Sequence, residues 1–381
     1  MDFSFSDEQR MVQESVRAFA RAELLPKYTY WDRNDEFPRE QWRKMGALGL
    51  LGLRVPAAYG GQDSDCVTAG LAMEEVGRGD FNCCYGLLNS CFAGDILGRF
   101  ASDAVKRAWL PAMAAGEKVL CVCLTEPHCG SDAAAIRTRA VRRGDFYVLN
   151  GEKSGVTLLM VGDAAIVFAK TDPAAGAKGV SAFLVPLDRP GITRHPYSDM
   201  GARGIVRGSL FLEDVEIPAG NLIGPENGGF SRVMQTFDYT RALIGLMCLG
   251  AAQATIEETV DYLKQRQAFG RPLSVNQGVS FPLAEWTAKM EMARWFCYRT
   301  LWLRDQEQPH TRESAICKMQ VPVIAADAVH DCLILHGHYG YTKDFPVEQR
   351  LRDVIGQEIA DGTPQIMKII VARALFGREF V

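Results

Sequence analysis

The sequence predicts a mostly helical α+β protein with three parts: an N-terminal helical domain over residues 1–118, a middle antiparallel β domain over 119–228 and a C-terminal four-helix bundle over 229–381. Three observations predict it. Helical spacing of apolar residues gives way near residue 119 to short runs of strand type. Long helical periodicity returns from Phe230. The chain, at 381 residues, is too long for one small core.

In the first part, Ser6 followed by Asp7, Glu8 and Gln9 reads as a helix start with acids in the first turn, and Met11, Val12, Val16, Phe19 and Ala20 follow at helical spacing. The stretch from Arg54 to Gly61 is turn-rich, Val67 to Val76 resumes the helix, and Tyr85 to Phe100 is apolar and small-residue rich, as a central helix would be. In the second part, residues 119–124, 146–149, 164–169, 180–185 and 209–212 are short apolar runs separated by Gly, Pro and Asp, the pattern of a small antiparallel sheet or barrel. In the third, four periodic segments, about 230–265, 276–305, 312–338 and 362–378, suggest the bundle.

Composition excludes several classes. A net charge of −4 gives no electrostatic reason to expect nucleic acid or an anionic membrane as partner. The N-terminus has no apolar core of a signal peptide, and the apolar stretch from Ala242 to Ile256 is shorter than the roughly 18 residues a span requires, so a buried core helix is expected. The eleven cysteines are scattered without paired metal-ligand spacing and read as reduced thiols of a cytoplasmic protein. No metal site is expected, since His336 and His338 have no third ligand nearby.

Four segments hold residues suited to chemistry. Leu124 to Asp132 leaves a strand and presents Thr125 and Ser131 beside Pro127 and Gly130; hydroxyls and backbone N–H groups there suit a phosphate or a flavin edge, although an ordinary strand exit looks the same. Arg266 to Leu273, followed by Gln277, places a guanidinium beside an aromatic and a glycine, which suits a diphosphate and equally a helix end capped by Gly270. Leu335 to Thr342 is glycine-rich, and Gly337 and Gly340 permit close approach of a ligand. Ile359 to Met367 places Asp361 before a Gly-Thr-Pro helix start, as a helix-start acid or as a carboxylate free to take a proton.

Taken in order, these segments resemble the acyl-CoA dehydrogenase family over essentially the whole chain. The series runs from Asp2-Phe-x-x-x-Asp-Glu-Gln9 through Leu48-Gly-Leu-Leu-Gly-Leu-x-x-Pro56, Tyr59-Gly-Gly61, Thr125-Glu-Pro-x-x-Gly-Ser-Asp132, Leu149-Asn-Gly-x-Lys153 and Phe211-x-Glu-Asp-Val215. It continues with Asp238-Tyr-Thr-Arg241, Arg266-x-x-Phe-Gly270, His336-Gly-x-Tyr-Gly-Tyr341, Pro346-Val-Glu348, Arg352-Asp353 and Asp361-Gly-Thr363. The resemblance implies FAD between the β domain and the bundle, and a homotetramer built as a dimer of dimers. It implies flavin-ring contacts from Thr125 and Thr157, with Ser131 near both the cofactor and the thioester arm. Arg266, Phe269 and Gln277, with Ile334, Gly337 and His338, are implied to reach the FAD of a neighbouring subunit, and Thr363 and Gln365 to add further contacts. Asp238, Arg241 and Gly362 are implied on the substrate side.

The activity implied is removal of two hydrogens from an acyl thioester, on CoA or on an acyl carrier protein, to give the 2-enoyl thioester. Asp361 would take the α proton, flavin N5 would accept the β hydride, and the Asp361 N–H would stabilise the developing enolate. The electron acceptor implied is an electron-transfer flavoprotein, and the setting lipid or secondary metabolism.

Several positions depart from the family pattern. Asp361 stands where Glu is usual, and Ala360 replaces an aromatic. Gly155 replaces a Trp or Phe beside the flavin, which is expected to open space there. Arg207 replaces a small hydroxyl residue, and Ile334 and His338 replace Gln and Gly. Asp95 is an unusual charge in an apolar helix, and reads better as a paired residue than as a pocket wall. These departures suggest a branched or cyclic acyl group. They also keep open a second reading, an oxidase or monooxygenase of the same fold that uses O2, like nitroalkane oxidases.

Overall fold

The computed structural model describes residues 4–380; Asp2 and Phe3 of the opening motif lie outside the described residues. The N-terminal part is helical: α1 (Asp7–Phe19), α2 (Tyr28–Asn34), α3 (Arg39–Ala47), α4 (Cys66–Gly79), α5 (Phe81–Phe100) and α6 (Asp103–Ala114). Helix starts follow from local chemistry. Ser6 and Gln9 form a reciprocal capping box, the Gln9 N–H donating to the Ser6 hydroxyl at 3.1 Å and the Ser6 N–H to the Gln9 side chain at 3.0 Å. Asp65, Asp80 and Ser102 cap α4, α5 and α6 by accepting one first-turn N–H each. Helix α5 is buried on nearly every side, as an inner helix must be. Its acid, Asp95, lies 3.1 Å from Arg304 and 3.6 Å from Arg54, which makes it a paired residue.

The middle part contains β1 (Leu120–Cys123), β2 (Arg139–Arg143), β3 (Phe146–Val156), β4 (Ala164–Lys170), β5 (Val180–Pro186), β6 (Ile192–Pro196) and β7 (Gly208–Pro218). Among the described residues these seven form one sheet in the order β1-β4-β2-β3-β7-β6, with β5 also on β4. The sheet is mixed rather than antiparallel throughout. The hairpin β2–β3 intervenes in sequence between β1 and β4, so those two are joined by a crossover and run parallel. Strands β2 and β6 escaped the sequence pattern because Arg139, Arg142 and Arg143, and Arg194, His195 and Pro196, occupy largely exposed positions that hide any apolar alternation.

The C-terminal part holds α7 (Gly229–Gln265), a short hairpin β8 (Gln267–Ala268) and β9 (Arg271–Pro272), α8 (Gln277–Asp305), α9 (Thr311–Leu335), α10 (Val347–Ile359) and α11 (Pro364–Phe376). Helix α10 is an addition to the four expected segments. It buries Gln349, Arg350, Asp353 and Gln357 beside Val347 and Val354, so its inner face carries no apolar stripe to read. Helix α7 is long and apolar enough to cross a membrane by length and composition, yet 78% of its apolar window is buried inside the fold, as a core helix. It packs closely on α4: a Cβ on Gly250 would lie 2.2 Å from the Glu74 carbonyl oxygen, and one on Gly77 would lie 2.6 Å from that of Met247.

The three parts meet at one buried carboxylate. Asp353, on α10, accepts hydrogen bonds from the Tyr28 hydroxyl at 3.1 Å, the Asn82 side chain at 3.4 Å and the Ala202 N–H at 2.6 Å. Burial pushes its carboxyl up to about 7, with the nearby Asp32 and Asp80 carboxylates adding to the rise, against the Ala202 N–H and Arg352. An acid raised on folding stabilises the protein fully below its unfolded value of 3.8, and that contribution is lost as pH climbs through about 7. Asp353→Asn keeps an oxygen for Ala202 and an amide for the Tyr28 oxygen but cannot ionise. Thermal melting from pH 5 to pH 8 is expected to show a smaller loss of Tm in this variant than in the parent; an unchanged slope would refute the assignment.

Candidate active site

A cavity of about 560 Å3 lies where the three parts meet. One wall comes from α5, with Tyr85, Leu88, Asn89 and Phe92. A second comes from the β domain, with Leu124, Thr125, Ser131, Gly155, Thr157 and Arg207. The third comes from the bundle, with Phe237, Arg241, Ala360, Asp361, Gly362 and Thr363.

The β-domain wall rests on a buried ion pair. Glu126 and Lys153 are both buried and lie 2.7 Å apart, and Glu126 also accepts from the backbone N–H groups of Arg137 and Thr138. Lys153 donates as well to the Leu124 carbonyl at 3.0 Å. These contacts hold the loop that leaves β1 and carries Thr125 and Ser131. Burial would raise the Glu126 carboxyl, but the Lys153 ammonium and the N–H groups of Thr138 and Arg137 outweigh it and hold the carboxyl below its usual range. Glu126, His128 and Cys129 also sit close enough together to resemble a metal cluster, but the Glu126 oxygens are taken by these partners. The hydroxyls of Thr125, Ser131 and Thr157 make no hydrogen bond to another protein group among the described residues. They are free to meet the polar edge of a flat heteroaromatic ring, so this wall fits the flavin expected from the sequence.

On the facing wall, Asp361 occupies the turn between α10 and α11 with φ at +51°, and Gly362 follows at +101°. A left-handed conformation in a residue other than glycine costs about 1–2 kcal/mol and recurs where function demands a particular direction. The turn is fixed by Lys318 of α9, whose buried ammonium donates to the Gln357 carbonyl at 2.5 Å and the Gly362 carbonyl at 3.1 Å. Thr363 caps α11 through its hydroxyl, and Pro364 fills the first helical position. The Asp361 side chain is open to the cavity yet walled by protein on its other sides. Its removal from bulk water pushes the carboxyl above the ordinary carboxylate range, while Lys318, Arg241 and Arg207 pull it back. A carboxylate so held borders the cavity with a raised affinity for a proton.

Thr125, Ser131, Thr157, Arg241, Asp361, Gly362 and Thr363 therefore share one cavity, as expected. Asp238 is placed differently. It lies off the cavity wall and accepts from Arg241 at 3.0 Å and from the Thr311 hydroxyl at 2.6 Å, so it orients Arg241, which does line the cavity. Arg241 keeps a buried Nε without a protein partner among the described residues. Arg266, Phe269, Gln277, Ile334, Gly337, His338 and Gln365 also lie off the cavity wall. Six of these belong to two segments: Arg266, Phe269 and Gln277 run from the end of α7 through the hairpin to the start of α8, and Ile334, Gly337 and His338 span the last turn of α9 and the turn after it. The ends of α7 and α9 that carry them are joined by Tyr262, which stacks on His336 at 4.4 Å and donates to its carbonyl at 3.2 Å. Phe269 is 99% exposed and Ile334 60%, unusual for apolar side chains with no function at the surface. Tyr85 and Asn89 were missed from sequence because both lie within an apolar helix; only their polarity there marks them.

Replacing Glu126 with Ala would strand Lys153 as a buried charge and leave two backbone N–H groups unpaired. The expected loss of stability is about 3–5 kcal/mol, read as a lowered denaturation midpoint, with Glu126→Gln losing less. Equal midpoints for Glu126→Ala and the parent would show that the pair carries no weight.

Comparison with known proteins adds the following. The chain matches three family models: acyl-CoA dehydrogenase N-terminal domain over residues 6–117, middle domain over 121–215 and C-terminal domain over 227–376. It is 37% identical to the probable acyl-CoA dehydrogenase YngJ of Bacillus subtilis, covering 98% of this chain and 100% of that protein. Its structure is similar to butyryl-CoA dehydrogenase from Megasphaera elsdenii, with a TM-score of 0.95 at 31% identity over 98% of this chain and 100% of the other. It is also similar to the prolyl acyl carrier protein oxidase AnaB, with a TM-score of 0.93 at 28% identity over 98% and 100% of the two chains.

Proposed function

Because this chain belongs to the acyl-CoA dehydrogenase family, whose members are FAD-dependent oxidoreductases, we propose that it removes an α proton and a β hydride from an acyl thioester to give the 2-enoyl thioester, with Asp361 as the base. The observation that carries this reading is the position of Asp361, alone on its strained turn at the cavity wall, facing three unengaged hydroxyls.

Bound FAD supplies the two-electron acceptor for the β hydride. The residues of this chain do the rest. Thr125 and Thr157 offer hydroxyls that orient the ring, and Ser131 offers one between ring and thioester. The N–H of Asp361 lies beside the base, where a hydrogen bond to the thioester oxygen would stabilise charge as the α carbon loses its proton. Lys318 fixes that N–H by anchoring the carbonyl of the next residue. Tyr85, Leu88 and Phe92 give the cavity an apolar wall that lowers the dielectric a bound thioester and the base would share.

The acyl group proposed is branched or cyclic. Ala360 leaves room beside the base, and Asp361 is one methylene shorter than the usual Glu, so the α carbon must sit closer to the turn. CoA and an acyl carrier protein both remain candidate carriers. The oxidase reading is kept as a second possibility, because the similar AnaB is described as an oxidase of a prolyl acyl carrier protein. Release of H2O2 during turnover separates the two readings, since transfer to an electron-transfer flavoprotein releases none. The buried thiols fit a reducing compartment such as the cytoplasm. The exposed Phe269 and Ile334 support a homotetramer in which each subunit's hairpin and α9 turn complete a neighbour's cofactor site.

Two outcomes test this. Asp361→Asn is expected to hold FAD with an unchanged visible spectrum and to lose anaerobic flavin bleaching by every thioester in a panel. In the parent, bleaching should be fastest with a branched or cyclic acyl group, and fall at low pH as Asp361 is protonated, at a pH above that of an ordinary carboxylate. Bleaching that survives in Asp361→Asn, or is fastest with butyryl- or octanoyl-CoA, overturns the base or the substrate assignment respectively. Phe269→Asp is expected to shift the particle to a smaller size on gel filtration and to lower FAD content while leaving circular dichroism intact; a tetramer that keeps its FAD would place Phe269 outside the interface.

A further inference from the structure

The sequence led us to expect empty space beside Gly155. The structure places a cation there. A Cβ built on Gly155, whose φ is +65°, would lie 3.2 Å from a terminal nitrogen of Arg207 and near no other side chain. The guanidinium is thus seated over a residue with no side chain, on the wall that carries Thr125 and Thr157.

Several contacts hold it there. The Gly155 N–H donates to the Tyr197 hydroxyl at 3.2 Å, and that hydroxyl is 2.7 Å from the Ser209 hydroxyl. The Tyr197 N–H donates to the Arg207 carbonyl at 3.0 Å. The guanidinium carbon lies 5.9 Å from the centre of the Tyr197 ring, and a guanidinium nitrogen 3.7 Å from an Asp199 oxygen. The turn before it is strained: Val206 has φ at +43°, a conformation that a β-branched residue rarely adopts. Strain of that kind persists where the surroundings impose it, and commonly at functional sites. Asp199 pairs with this cation at 3.7 Å, longer than a normal hydrogen bond, and among the described residues the guanidinium makes no hydrogen bond to another protein group.

We propose that Arg207, seated over Gly155, is a positioning residue for the flavin that supplies positive charge at the edge of the ring and favours its reduced, more negative state. The inference rests on FAD occupying the β-domain wall, as the reading above requires, but not on the identity of the acyl substrate. The Thr125 and Thr157 hydroxyls that would meet the ring line the same cavity as Arg207, which brings the guanidinium to the ring's side of the site. A ring that gains negative charge on reduction is favoured by a nearby cation in a site of low dielectric.

The experiment uses the FAD-bound protein without any acyl thioester. Sulfite adds its sulfur lone pair to the oxidised ring and leaves a negative charge on it, so its affinity reports cation strength directly. Arg207→Gln is expected to raise the sulfite Kd about tenfold and to make reduction less favourable by about tenfold, equivalent to about 30 mV for a two-electron couple. Arg207→Lys, which keeps the charge, is expected to stay within about threefold of the parent for both. If Arg207→Gln keeps the parent's sulfite affinity and potential, Arg207 only holds its loop and the proposal fails. If Arg207→Gln loses FAD, Arg207→Lys decides: parent-like affinity supports the proposal, and a tenfold loss overturns it. A wrong substrate assignment would leave all these results unchanged, while failure to bleach with thioesters would leave the sulfite result standing.

Discussion

The candidate site depends on one buried ammonium. Lys318 has no exposed surface and must satisfy its charge inside the protein. It does so by donating to the carbonyls of Gln357 and Gly362, one before and one after Asp361. Burial lowers its tendency to hold a proton, and Asp361 raises it again. The cation and the base thus support each other's charge without direct contact, and the backbone between them is pinned in the left-handed turn that a free Asp would leave.

Around that pin the fold arranges three walls by separate means. The inner helix α5 supplies apolar surface, because it is buried on nearly all sides. The β domain supplies hydroxyls and a cation, fixed by the Glu126–Lys153 pair beneath them. Asp353 then ties α10 to the helices at Tyr28 and Asn82 and to the loop at Ala202. Each tie joins elements of different parts or fixes a loop at the cavity, as suits a site built between domains.

Much of this was legible in the sequence, and the exceptions have physical causes. The change of texture near residue 119 and the long C-terminal periods marked the three parts because apolar spacing reports burial directly. Asp361, Thr125 and Thr157 were singled out through the order of motifs along the chain, since alone each looked like a cap or a loop residue, and the structure brings them to one cavity. Helix α10 went unseparated because its buried face is polar, and β2 because its strand is studded with Arg. The mixed sheet was out of reach, since strand direction depends on which distant strand becomes the partner. Gly155 was read as a loss of bulk; a contact between residues 155 and 207 leaves no local signature, so the cation filling that space could not be seen. Asp238 was placed on the substrate side by motif alone, and only geometry shows that its carboxylate serves Arg241.

Helix α7 also acts as a ruler. From Arg241 at the cavity to Arg266 at the hairpin the chain advances 25 positions, and at about 1.5 Å per residue that separation is about 37 Å along one rod. A single dinucleotide cannot be gripped at both ends of that rod by the same copy of the chain. On the function proposed above, the ring-facing and hairpin groups would then serve two different half-sites, carried at opposite ends of one stiff element. In the homotetramer proposed above, two copies related by a twofold axis would bring each half to its complement twice over, and the length of this helix fits that symmetry.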